Sequence, residues 1–405
     1  MIEQGKPALG GVLLLCSTDV HAAMFAPVAR ELRGLGWQGT LVSLDPYYAQ
    51  GATPAARKLW PDVRELLAPP GVGTPPFYGR PVARIWRDVR SARGPVRRLL
   101  SELNPRVVVV GNDRGLIEKL VLDEARARGA RTVLVQDGHL GARPTPELEL
   151  RRRIWRRSRG LLSWFVRRLG GMTFAATPYG TWGCDRVCAT GEEGADVLRA
   201  RGVPANRIVV TGQPRYDAEP APESRTGRGV VCFTSPFAAQ NLGMQAQNAQ
   251  SELVAEIART LHSSEVPFAV KPHPREQSAD YESIPWLETR PVDESPAAAA
   301  RGAELVLVGF STVVEEAVLA RVPVAVMRNR VQGAAYDDLL PDAGTFPRVE
   351  SGEDVLGLVI GLRDGSIDRE DLLNREAAAV LKRVSHDPTR SAASRVAAVV
   401  NELGR

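Results

Sequence analysis

Short runs of β-branched and aliphatic residues, each followed by a stretch with helical spacing, recur along almost the whole chain, and this alternation limits the fold more than any other feature. In the first half the runs are GVLLLCS (11–17), GTLVSL (39–44), RVVVVGN (106–112), RTVLVQDG (131–138), DRVCATG (185–191) and RIVVTG (207–212). In the second half they are GVVCFTS (229–235), PFAVKPH (267–273), ELVLVGF (304–310) and VPVAVM (322–327). Continuously apolar runs suit strands covered on both faces, and strands separated by helices pair in parallel. The pattern predicts an α/β chain of two Rossmann-like domains whose parallel sheets face across a cleft, with helices at the C-terminus.

The most polar, proline-rich break is QPRYDAEPAPESRTGRG (213–229), which has no sustained periodicity. It sets the expected domains at residues 1–220 and 221–387, with a C-terminal helix at 388–405 returning to the first. A chain of 405 residues is long enough for both cores. The 52 basic against 47 acidic residues leave a formal charge of +5, too slight an excess to argue for nucleic acid. MIEQGKPALGGVLLLCS has no basic lead and an apolar run only as long as one strand, so it reads as the first strand rather than a signal peptide. No window has the length of a membrane span. Cys16, Cys184, Cys188 and Cys232 have no zinc-like spacing and read as structural thiols of a cytoplasmic protein.

A GxGxxG string is present at Gly34, Gly36 and Gly39, but it follows a helix and precedes a strand, the reverse of a dinucleotide fingerprint. It reads as a helix end and turn. The strand ends carry the chemistry. CSTDVHAAMFAPVAREL (16–32) puts Asp19 and His21 just after the first strand, where a general base or a substrate contact would lie, although Ser17, Thr18 or Asp19 also suits a helix cap. VVVVGNDRG (107–115) and TVLVQDGHLG (132–141) repeat one design of apolar strand, polar cluster and glycine. Asn112, Asp113, Gln136 and Asp137 are too costly to bury unpartnered, so each belongs to a cap or a wet cleft. Asp137 and His139 are the leading candidates for proton transfer.

In the second half, Thr234, Ser235 and Pro236 follow a strand and open a loop able to bind a diphosphate. Ser311 and Thr312 open a helix whose free N–H groups suit an anion, with Glu315 and Glu316 in its first turns. The run FAVKPHPREQ (268–277) ends a strand on Lys271 and sets His273 between two prolines, which restrict the backbone on both sides and can aim the imidazole. RRRIWRRSRGLLSWFVRRLGG (151–171) has eight arginines and reads as a basic amphipathic helix. It is either a solvated outer face, a peripheral contact with anionic membrane, or a phosphate or acidic-polymer contact.

KPHP (271–274), FSTVVEEAVLARVPV (310–324), VCATGEEGADVLRARGVPANRIVVTGQPRYD (187–217) and SAASRVAAVVNEL (391–403) together resemble bacterial GT-B-fold glycosyltransferases. Those of capsule, teichoic acid and related surface polymers, including sialyl, Kdo and glycerophosphate transferases, are the nearest in character. The resemblance implies a nucleotide-activated sugar donor held mainly by the C-terminal domain, a saccharide or lipid-linked acceptor held by the N-terminal one, no metal, and no cofactor beyond the donor itself. Carried over by position, Lys271 and His273 would contact donor phosphate, Ser311 and Thr312 would hold the same phosphates, and Glu315 or Glu316 would bind ribose. Many relatives carry QHG where this chain has QDGH (136–139), so Asp137 stands in the place of the histidine.

The function expected is metal-independent transfer of a sugar to an acceptor hydroxyl in glycan or polysaccharide biosynthesis. An enzyme resembling UDP-N-acetylhexosamine 2-epimerases ranks second, since VTGQPRYD (210–217) keeps only part of their HTGQH signature. A non-catalytic, membrane-associated scaffold of the same fold ranks third.

Overall fold

The computed structural model describes residues 10–48, 51–69, 82–140, 177–217, 228–237, 244–273, 276, 279–291, 294–309, 311–328, 344–387 and 389–405. The arginine-rich stretch 151–171 lies outside these residues. Two compact units are present: Met1–Asp217 together with Val384–Arg405, and Ala218–Arg383.

In the first unit seven strands form one sheet: β1 (Gly11–Cys16), β2 (Gln38–Ser43), β3 (Arg64–Glu65), β4 (Pro105–Val110), β5 (Arg131–Val135), β6 (Arg186–Ala189) and β7 (Ile208–Val210). Their order is β3-β2-β1-β4-β5-β6-β7. Every pair is parallel. The apolar runs are continuous because alternate residues feed two cores. Leu13, Leu15, Val108, Val110 and Leu134 pack beneath the helices Val82–Leu103 and Leu116–Ala127. Val12, Leu14, Val107, Val109, Val133 and Val135 pack beneath the helix Asp19–Gly34 and the last helix, Ala392–Gly404.

That last helix is fastened at both ends. Both Asp217 carboxylate oxygens accept from its first N–H groups, Ala392 at 2.7 Å and Ala393 at 2.6 Å, beside the Ser391 cap. At the far end the Trp37 indole donates to Asn401 at 3.0 Å, and a Cβ on Gly404 would come within 2.4 Å of the Trp37 ring.

The second unit repeats the plan with β8 (Val230–Phe233), β9 (Phe268–Lys271), β10 (Glu288–Thr289), β11 (Leu305–Val308), β12 (Val324–Met327) and β13 (Arg348–Val349), in the order β10-β9-β8-β11-β12-β13. All of its pairs are also parallel. In each sheet the order reverses beside the first strand of that unit, between β1 and β4 and between β8 and β11. At such a switch point the connections diverge and leave a crevice at the carboxyl ends of the strands.

Ten strands fall on the ten runs read from the sequence, with β2 and β4 starting one residue earlier. The other three, β3, β10 and β13, are two-residue edge strands that pair with one neighbour and bury too little to carry an apolar signal. Gly34, Gly36 and Gly39 form a helix-to-strand turn, with Gly36 at φ 90°. All four cysteines are free and buried, and burial pushes the Cys184 and Cys188 thiols up to about 12. Among the described residues no helix is long and apolar enough to cross a membrane.

One buried charge makes this unit sensitive to pH. Glu376, in the helix Arg369–Arg383, is fully buried, and its carboxyl oxygens accept from the Val324 N–H at 3.1 and 3.3 Å. Burial pushes its carboxyl up to about 8, so the folded chain binds this proton more tightly than the unfolded chain. The contribution is complete below the ordinary carboxylate range and is lost as pH rises through about 8. At about 1.4 kcal/mol per pH unit, the loss amounts to a few kcal/mol. Glu376→Gln keeps an acceptor for Val324 but cannot ionise, so its stability relative to the parent should rise between pH 5 and pH 8 in urea unfolding. Parallel pH profiles for the two proteins would refute this.

Candidate functional site

At the first switch point, residues far apart in sequence converge on one imidazole. Thr18 caps the helix that follows β1 by accepting from the His21 N–H, and this turn directs the His21 ring back toward the strand ends. The Ser17 N–H donates to His21 Nδ1 at 3.1 Å. With Nδ1 engaged as acceptor, the neutral ring carries its proton on Nε2 and donates to Asp137 Oδ2 at 3.0 Å. The ring lies against the backbone after β4, where a Cβ on Gly111 would come within 2.5 Å of it, so that position admits only glycine.

The two partners differ in access: the His21 side chain is 1% exposed and that of Asp137 is 36% exposed. The histidine is therefore the enclosed member of the pair and the carboxylate the accessible one. Asp137 follows β5 and is oriented from both sides. Gln136 is buried, with its side chain donating to Gly138 O at 2.7 Å and accepting from Thr190 N at 3.3 Å, while Gln213 donates to Gln136 O at 2.9 Å. Among the described residues, a Cβ on Gly138 beside Asp137 would meet nothing within 4 Å. His139 is half-buried beyond this glycine, and Asp19 is exposed in the first turn of the helix after β1.

A second buried layer supports the first. Glu118 accepts from the Ser17 hydroxyl at 2.5 Å and from the Tyr48 hydroxyl at 2.7 Å. Asp113 is fully buried and accepts from the N–H groups of Gly180 and Trp182, both at 3.0 Å. Burial pushes the Asp113 carboxyl up, against the pull of those N–H groups. The Tyr179 hydroxyl donates to Gly111 O at 2.8 Å. Asn112 closes a local turn, accepting from Arg114 N at 2.9 Å.

At the second switch point the organiser is Glu276, which the sequence did not single out. One of its oxygens accepts from Gln247, from Gln250 at 3.1 Å and from the Tyr281 hydroxyl at 2.9 Å; the other accepts from the Thr234 hydroxyl and from the His273 N–H at 2.9 Å. Thr234 also accepts from the His273 N–H at 3.1 Å. This network ties the segment after β9 to the end of β8. Burial and the adjoining Glu276 charge push the Tyr281 phenol up, keeping it a donor. Gln250 also holds the Ser235 backbone, accepting from its N–H at 2.9 Å and donating to its carbonyl at 3.1 Å.

The other candidate binding residues lie around this network. Lys271 is buried with its ammonium donating to Pro291 O at 3.1 Å. Ser235 and Pro236 are buried, and a Cβ on Gly309 after β11 would come within 2.8 Å of Ser235 Oγ. Ser311 and Thr312 are half-buried at the start of the seven-residue helix Val313–Leu319; Glu315 is buried and Glu316 half-buried within it. Phe310 lies outside the described residues.

Among solved structures, the chain is similar to a glycotransferase of kitacinnamycin at 12% identity over 99% of this chain and 100% of the other, with a TM-score of 0.62. It is similar to a UDP-GlcNAc 2-epimerase of Neisseria meningitidis, bound to UDP-GlcNAc, at 14% identity over 97% and 99% of the two chains, with a TM-score of 0.57. It is also similar to MurG of Acinetobacter baumannii at 15% identity over 98% and 100%, with a TM-score of 0.53. The chain has the GT-B fold. Its two parallel sheets, of seven and six strands, are those of GT-B proteins along the whole length compared. No protein-family model and no curated sequence matches the chain. At these identities the GT-B likeness establishes the fold alone, and proteins sharing it include both glycosyltransferases and epimerases.

Proposed function

We propose that this chain is a glycosyltransferase that moves a sugar from a nucleotide-activated donor to an acceptor hydroxyl. The observation that carries the reading is the Asp137–His21 pair, a half-exposed carboxylate locked by a buried imidazole at a switch point. Asp137 takes the proton from the acceptor hydroxyl as that oxygen bonds to the anomeric carbon. The bond from this carbon to the donor phosphate breaks, and the nucleotide leaves with the electron pair. His21 keeps the carboxylate aimed through its Nε2–H.

Binding of the donor is assigned to the C-terminal unit. Lys271 and His273 contact the phosphates, together with Ser311 and Thr312, while Ser235 and Pro236 line the loop after β8. Glu315 or Glu316 takes the ribose hydroxyls. Preorganised donors of this kind stabilise a leaving phosphate by roughly 3 kcal/mol each.

The test begins with thermal unfolding against UDP, CDP, CMP, GDP and dTDP. One nucleotide should raise the midpoint, since a ligand at about 100 times its Kd adds about 2.7 kcal/mol. The matching donor is then incubated with and without a saccharide acceptor. Release of nucleotide only with acceptor supports transfer. A new sugar isomer formed without acceptor would reassign the chain to epimerisation, and no shift with any nucleotide would overturn both readings.

A further inference from the structure

The amino-terminal end of β9 carries a small surface pocket of about 230 Å³, lined by His262, Glu265, Val266, Phe268 and Trp286 among others. It lies at the opposite end of the strand from Lys271. The Trp286 ring stacks flat on His262, with centroids 4.6 Å apart and planes 6° from parallel. Trp286 is nevertheless 61% exposed, which leaves the second face of the indole in water.

The backbone is unusual at two positions in this pocket. Glu265 has φ 56° and Trp286 φ 63°. Glu265 ends the helix Met244–Ser263, where the Val266 N–H returns to Leu261 O at 2.9 Å, a place that glycine or asparagine normally fills. Trp286 closes a short turn after Tyr281. A bulky aromatic in the left-handed region is a conformational outlier, and this one gains little burial in exchange. Both residues line the same pocket, and strain of this kind clusters at binding sites.

We infer that this pocket binds one pyranose ring of a saccharide. Its volume is below the roughly 300–1,000 Å³ that larger ligands occupy, which suits a single ring. The Glu265 carboxylate repels phosphates and nucleotides. The imidazole of His262 already covers one face of the indole, so the pocket offers a cation a single aromatic face rather than a cage. A neutral ring remains, with a C–H face for the open side of Trp286 and hydroxyls for the carboxylate and imidazole. The inference stands apart from the reaction proposed above, since none of these residues belongs to either strand-end cluster.

Saturation-transfer NMR with the methyl glycosides of glucose, galactose, mannose and N-acetylglucosamine tests it. At least one should receive saturation from the protein, and its affinity should fall about tenfold or more in Trp286→Gly and in Glu265→Gln. Both variants should stay folded, because glycine suits the left-handed turn and glutamine keeps the shape of the glutamate; their melting curves check this. Transfer to none of the four sugars would overturn the inference. So would transfer that persists in both folded variants, which would place the sugar elsewhere, or a preference for tetramethylammonium over every sugar.

Discussion

Asp137→Asn is expected to lower sugar transfer by roughly 10²- to 10⁴-fold, the range that a positioned proton acceptor contributes. The amide oxygen can still accept from His21 Nε2, so the ring, the helix cap and the strand end should keep their places and the melting temperature should hold. The basic lone pair alone is lost. Asp137→Ala removes the acceptor as well and leaves a buried N–H of His21 unpaired, which costs about 1–3 kcal/mol and should show as a lower melting temperature. Initial rates beside calorimetric nucleotide binding separate the cases: both variants should bind nucleotide as the parent does and fail in turnover. Parent-like turnover by Asp137→Asn would remove Asp137 from the role of base and leave His139 and Asp19 as the remaining candidates.

Glu276→Ala should destabilise the C-terminal unit by about 3–5 kcal/mol and weaken nucleotide binding with it. Thr234, Gln247, Gln250 and Tyr281 are all buried, and each would lose a carboxylate acceptor. Glu276→Gln is not neutral either. Donors approach both oxygens, so whichever way the amide turns, its NH2 group must face donors rather than acceptors. A loss of about half that size is expected. Chemical unfolding gives the stability, and titration with the nucleotide found by thermal shift gives the affinity. If Glu276→Ala unfolds at the parent's denaturant concentration, the carboxylate does not organise the segment after β9.

Much of the fold could be read along the chain because its physical causes are local. Within RVVVVGN and GVLLLCS, Val107–Val110 and Val12–Cys16 are apolar at every position since their strands are buried on both faces, and that needs no knowledge of the neighbours. The two-residue edge strands stayed invisible for the converse reason. Site residues divide in the same way. His21 and Asp137 drew notice singly, as polar groups at strand ends. The sequence sets its leading proton-transfer candidates, Asp137 and His139, two residues apart, whereas the bond the structure forms joins Asp137 to His21 across 116 positions. Glu118 and Glu276 carry no local signal, because their partners are supplied by other elements.

The sequence by itself determined the strand runs, the helix starts and the polar clusters at strand ends, since periodicity and capping depend on neighbours within a few residues. Tertiary structure decided which clusters meet. Strand order put β1 beside β4 and brought β5 close enough for a buried imidazole to hold an exposed carboxylate. It likewise folded the segment after β9 against the end of β8, so that one glutamate could collect buried donors from four other residues and a fifth from the backbone. Such pairings are fixed by parallel registry and by the cost of burying polar groups unpaired, and both act only once distant parts of the chain are in contact.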